Sequence, residues 1–132
     1  MKHLIVTALL FLFIYFAPNL EANTWRKMEL GSSFISAEND NNVVLERYRS
    51  GTFEYVDTKS SCQDGSSDKN FNVRVNGAWI PFTETCFKGM YHTYANSVKG
   101  NKHINQLFTD LTSIRIGPYV FSGRNFASAI KQ

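Results

Sequence analysis

The segment Phe71 to Phe82, FNVRVNGAWIPF, constrains the fold of this chain more than any other. Phe71, Val73 and Val75 alternate with Asn72 and Arg74, so the apolar side chains share one face of an extended strand and the polar ones the other. Asn76-Gly77 follows, a pair that accepts the positive φ angles of a two-residue type I′ turn, and Ala78 to Phe82 leads back. Pro81 has no N–H to give a ladder, so the return strand is expected to end there or to lie at a sheet edge.

A second hairpin is predicted from Val43–Arg49 and Thr52–Thr58 around Ser50-Gly51, with Phe53 and Tyr55 alternating against Glu54. Before it, Asn23 to Asn42 is polar and weakly patterned. Its apolar anchors are Trp25, Met28, Leu30, Phe34 and Ile35, and it is expected to wrap the domain. Lys59 to Asn70 (KSSCQDGSSDKN) is too polar to bury and reads as an exposed loop tied down at Cys62.

The period then changes. Phe87, Met90, Tyr91, Tyr94 and Val98 stand at helical spacing, which predicts a helix over 87–98 closed by Gly100. Ile104, Leu107, Phe108 and Leu111 repeat the spacing out of phase, so region 87–111 is one kinked helix or two. Ser113–Ile116, Tyr119–Phe121 and Asn125–Ile130 read as closing strands around Gly117-Pro118 and Ser122-Gly123. The expected fold is mainly β (α+β): a five- to six-stranded antiparallel Greek-key barrel of the OB-fold kind, with one amphipathic helix before the last strands.

Residues 1–22 stand apart. Lys2 gives a positive start, Leu4 to Ala17 is an apolar run of 14 residues broken only by Thr7, and Pro18-Asn19 and Ala22 follow. That run is short for a spanning helix, which needs about 20 residues, and fits the apolar region of a signal peptide. The expectation is a secreted or periplasmic protein, with one domain at 23–132 and no membrane span after cleavage. Lys2 and Glu21 leave together, so the net charge of the domain stays +3, too mild for the cationic face of a nucleic-acid binder. Cys62 and Cys86 are the only two cysteines, 24 positions apart, and an oxidising compartment lets them pair. No CxxC, histidine cluster or glycine-rich phosphate loop occurs, so neither metal nor organic cofactor is expected.

Three stretches resemble the B subunits of bacterial AB-type toxins, and the pertussis- and typhoid-like branch more than the cholera-like one. VVLERYRSGTFEY (Val43–Tyr55) resembles their first hairpin, the stripe from Phe87 to Val98 stands where their pore-lining helix does, and SIRIGPYVFSGRNFASAI (Ser113–Ile130) resembles their closing strands. The resemblance implies a secreted OB-fold subunit that assembles into a homopentamer, binds host cell-surface glycans, sialylated ones among them, and carries a catalytic A subunit. Lys88, Asn96 and Lys99, opposite the apolar stripe, are then the candidates to face the pore. The chain departs from that branch where a Tyr-Tyr-Ser segment holds sialic acid: here the stretch reads Glu38-Asn39-Asp40-Asn41-Asn42.

Sugars are recognised by planar polar side chains that pair with adjacent hydroxyls and by an aromatic face against the ring, and a shallow site of this kind works by multivalency. The glycan-binding candidates are accordingly Asn39, Asp40, Asn41 and Asn42, with Trp79 and Tyr119; the plain readings are a solvated loop and core or subunit packing. Trp25 is a third aromatic that so small a core leaves over. The alternative function is a monomeric periplasmic or secreted inhibitor or immunity protein that blocks a partner enzyme, presenting Lys59–Asn70. A secreted nuclease would use Glu46 or Glu54 as base, His92 or His103 as acid, and Arg74 or Arg115 for the phosphorane. It requires a histidine within reach of a strand carboxylate in a cleft, and the overall expectation is that the protein is not an enzyme.

Overall fold

The computed structural model describes residues 24–27, 33–39 and 41–131. Residues 1–22, expected to be an export signal, Met28, Leu30 and Asp40 lie outside the described residues, as do the side chains of Phe34 and Ile35. In chain order the elements are β1 (Arg26–Lys27), β2 (Ser33–Glu38), β3 (Val43–Tyr48), β4 (Phe53–Asp57), β5 (Lys69–Val75), β6 (Ala78–Phe87), β7 (Met90–Ala95), helix α1 (Val98–Asp110), β8 (Ser113–Ile116), β9 (Tyr119–Ser122) and helix α2 (Phe126–Lys131). The strands form one antiparallel sheet in the order β1-β2-β3-β4-β7-β6-β5-β8-β9. β9 comes back against β2, so the sheet curls into a nearly closed barrel.

Both predicted hairpins are present. Asn76 (φ 46°) and Gly77 (φ 88°) make the turn of β5–β6, with Val75 opposite Ala78. Around Ser50-Gly51, Leu45 pairs with Tyr55 and Arg47 with Phe53. Lys59–Asp68 is the exposed loop, and the Cys62–Cys86 disulfide ties it to the end of β6, with the two Cα atoms 6.0 Å apart.

Four expectations need correction. Eight of the described strands have four residues or more, against the five or six expected. The surplus comes from β2, inside the stretch read as a wrapping segment, and from residues 83–95, which pair as β6 and β7.

The stripe at 87–98 is not a helix. Lys88 (φ 52°) and Gly89 (φ 78°) form a second two-residue turn, and Phe87 pairs with Met90 across it. The Asp64 carboxylate fixes that turn by accepting the Lys88 N–H at 2.9 Å and the Gly89 N–H at 2.8 Å. Lys88 therefore lies in a turn, Asn96 in the link from β7 to α1, and of the three pore candidates only Lys99 lies on a helix. The helix that does exist is a single one, started rather than closed near Gly100: the Ser97 hydroxyl caps it by accepting the Gly100 N–H at 3.0 Å.

Residues 126–131 form α2 rather than a strand, because Phe126 and Ala129, three apart, bury one helical face against the core. Pro81, finally, lies inside β6. Its carbonyl accepts the Asn96 N–H at 3.0 Å, so its nitrogen, which points the same way, faces the place where β7 has ended, and the reciprocal bond that proline cannot make falls just past the ladder.

α1 closes one end of the barrel with Gly100, Ile104 and Phe108 turned inward. The core gathers Trp25, Leu45, Phe53, Phe82, Ile104, Phe108, Ile114, Ile116, Phe121 and Phe126. At Gly100 the helix lies directly on β6, and a Cβ there would sit 2.6 Å from Ile80 Cγ2 and 2.7 Å from Ser97 Oγ. Glycine to alanine within a helix ordinarily gains about 1 kcal/mol. Here Gly100→Ala is expected to cost about 1–3 kcal/mol, because the overpacked contact outweighs the propensity gain. Urea unfolding gives the sign, and a stabilised variant would refute the close packing.

Candidate functional site

The asparagine run builds its own loop. Asn39 is buried, and its Oδ1 accepts the N–H groups of Asn41 and Val43, both at 3.0 Å. Asn42 takes a left-handed conformation (φ 61°), and its carbonyl accepts the Thr58 N–H at 3.2 Å and the Thr58 hydroxyl at 2.7 Å. Only Asn41 of the described three is exposed.

The candidate aromatics separate. Trp25 is wholly in the core. Tyr119 packs edge-on to Tyr55, with ring centres 5.6 Å apart; burial raises its pKa and pushes that of Tyr55 up to about 12. Trp79, by contrast, is 62% exposed on β6, with the Arg74 guanidinium 5.0 Å from its ring centre.

His92 and Glu54, on adjacent strands β7 and β4, do meet, with Nδ1 2.5 Å from the carboxylate. The pair bridges the two strands, and neither residue lines the depressions described below. Nε2, the nitrogen that would have to move a proton, is closed off from solvent with no hydrogen-bond partner among the described residues, and the Phe87 ring stands edge-on 5.6 Å away. Glu46 is engaged by the Tyr48 hydroxyl at 3.2 Å, whose pKa rises chiefly through burial and then through the charge of Glu54. Arg74 stacks on Trp79, and Arg115 lies beside the Asn76 turn, where its backbone N–H donates to Asn76 Oδ1.

A depression of about 670 Å³ runs between the Ser50-Gly51 turn and the first half of α1. Arg47 anchors it. Along β3, Val43 and Leu45 point into the core, and Arg47 follows on the same face as the strand reaches the barrel end. Its Nε donates to Asn105 Oδ1 at 3.1 Å, and Nη1 lies 3.5 Å from the Tyr48 carbonyl. Burial lowers the Arg47 pKa, and no carboxylate pairs with it among the described residues. Tyr94, Asn96, Lys102 and Gln106 complete the walls.

The floor is held by Asn101, whose Oδ1 accepts the Phe53 N–H at 2.8 Å and whose Nδ2 donates to the Ala95 and Ser97 carbonyls at 2.9 Å. Asn101 is thus a clip between α1 and the sheet. Asn96 Nδ2 donates to Thr83 Oγ1 at 2.9 Å and Gln106 Nε2 to Asp110 at 2.8 Å, and their amide oxygens, like the Asn105 NH2, have no hydrogen-bond partner among the described residues.

Sequence reasoning named Asn96 for another role and missed Arg47, Tyr94, Asn105 and Gln106. One signal could have found Arg47: a cation at a core-facing position of an otherwise alternating strand. Tyr94, Asn105 and Gln106 carry no comparable mark, because they meet Arg47 only when α1 folds over the barrel end.

A smaller notch of about 270 Å³ lies on the other side of the α1 start, between Trp79, Pro81, Lys99 and His103. Compared with family models, curated proteins and solved structures, the chain matches none of them.

Proposed function

We propose that this chain is a secreted glycan-binding domain, the receptor-binding B subunit of a multimeric toxin, and that the groove beside α1 is its sugar site. The observation that carries the reading is Arg47: a half-buried, uncompensated guanidinium, fixed by Asn105 and surrounded by amides and the Tyr94 ring. Amides and a guanidinium pair with neighbouring hydroxyls, and a tyrosine face takes the apolar side of a pyranose. The order of elements supports the OB-like reading. The meander β5–β6–β7 is followed by α1 at the barrel end and by the hairpin β8–β9, with β8 antiparallel to β5. β2–β4 enters as an additional meander between β7 and β9. Ring assembly supplies the multivalency that an open groove needs.

Glycan-array binding followed by calorimetry tests the site. Arg47→Ala and Asn105→Ala are expected to weaken binding by tenfold or more, about 1.4 kcal/mol, with far-UV spectra and melting temperature little changed. Silence of the unaltered protein across sialylated, galactosylated and neutral glycans would sink the proposal. A strictly monomeric mass at all concentrations would remove the ring and move the balance to the inhibitor.

A further inference from the structure

The groove and the notch flank the same short stretch of chain. Ser97 lines both, and Val98, 73% exposed, stands on the ridge between them. The two differ in what they can hold alone. Ligand pockets run from about 300 to 1,000 Å³, so the groove at about 670 Å³ is within the range and the notch at about 270 Å³ falls below it. The notch nevertheless has the features of a contact surface. Trp79 is a large aromatic left 62% exposed, and Arg74 covers it at 5.0 Å, which steadies the ring for a partner. Charge points the same way. Lys99 and His103 line the notch and Arg47 and Lys102 the groove, and among the described residues no carboxylate lines either. Three cations and a histidine around two adjoining hollows, with no acid among the lining residues, favour an anionic ligand over a neutral one.

We infer that groove and notch form one continuous surface for an oligosaccharide of several residues, whose outer sugar stacks on Trp79 and places an acidic substituent, carboxylate or sulfate, between Lys99 and His103. This rests on the glycan reading of the groove, in which sialylated ligands are already expected, and extends it to the length of the ligand and to the side chains that read its charge. One sugar occupies the groove at Arg47, the chain crosses the Ser97–Val98 ridge, and the next sugar lies on the indole.

The test is calorimetry with N-acetyllactosamine oligomers of one, two and three repeats, each with its terminal galactose free, sialylated or sulfated. The expected result is affinity that rises with length, and a further gain, about tenfold or 1.4 kcal/mol, for the acidic forms. The sialylated and sulfated arms tell which anion is read. Trp79→Ala is expected to abolish the gain with length, and Lys99→Gln to abolish the gain from the acid, so that acidic and neutral oligomers bind it alike. Both side chains are exposed, so neither change should disturb folding, and melting temperature checks this. The inference is overturned if one repeat binds as well as three, or if Trp79→Ala binds like the unaltered protein while Arg47→Ala does not. In those outcomes the glycan reading of the groove stands. If the unaltered protein binds no oligomer but binds another glycan of the array, this inference falls alone, and silence across the array as well sinks both.

Discussion

Trp25→Ala is expected to remove about 3–5 kcal/mol of stability, a large share of the 5–15 kcal/mol typical of a small domain. The indole is completely buried, and its ring meets Phe126 at 5.0 Å, Phe108 at 5.1 Å and Phe53 at 6.3 Å, each edge-on. Phe108 comes from α1, Phe126 from α2 and Phe53 from β4, so one side chain joins three elements far apart in sequence. Its polar groups are equally committed. Nε1–H donates to the Ser122 carbonyl at 2.9 Å, the backbone N–H to the Arg124 carbonyl at 3.1 Å, and the Trp25 carbonyl accepts from Asn125 Nδ2 at 2.9 Å. Alanine loses the ring contacts and leaves a cavity at the seam where the barrel nearly closes. Trp25→Phe keeps an aromatic ring and orphans only the Ser122 carbonyl, so it should lose about 1–3 kcal/mol less than alanine does. Urea unfolding of the pair measures both. A loss under 1 kcal/mol for alanine would mean that the seam contributes little.

Cys62→Ser with Cys86→Ser is the second large effect, expected at about 3 kcal/mol for a loop of this length. For a domain of this size that is a fall in melting temperature of roughly 10–15 °C. The loss should be local in its first consequences. The disulfide sets Asp64 beside the Lys88-Gly89 turn, and the Cys62 N–H donates to the Gly89 carbonyl at 3.0 Å, so hydrogen exchange should rise first at residues 59–68 and 87–90. The groove at Arg47 is built without these residues, and sugar binding should survive at temperatures where the variant is folded. Equal melting of oxidised and doubly substituted protein would contradict the role given to the bridge.

Much of this was legible in the sequence. The hairpins at 43–57 and 71–82 were readable because alternation, Asn-Gly and Ser-Gly are local instructions that need no distant partner. Residues 87–98 were misread for the opposite reason. Phe87, Met90, Tyr91 and Tyr94 satisfy a helical period by coincidence, while Thr93 and Ala95 satisfy a strand period by being the ones that are buried. The choice between the two depended on Asp64, 24 residues before Lys88. At 125–130 a short segment with Phe126, Ala129 and Ile130 fits either period, and docking against Trp25 decided for the helix. Of the proposed site, Trp79 was visible as an aromatic beside a turn, whereas the asparagine run at 39–42 looked like a ligand surface because nothing local shows where an amide spends its hydrogen bonds.

By itself the sequence determined a small, disulfide-braced, antiparallel β domain with an amphipathic helix late in the chain, because alternation, turn residues and cysteine number act over a few positions or by exclusion. The tertiary structure alone decided how many strands the barrel has, where the helix begins, and that Arg47 and Asn105, 58 residues apart, face one groove. The physical reason is that a buried side chain or a committed amide is defined by its partner, and here the partners are brought together only when β9 returns to β2 and α1 closes the barrel end.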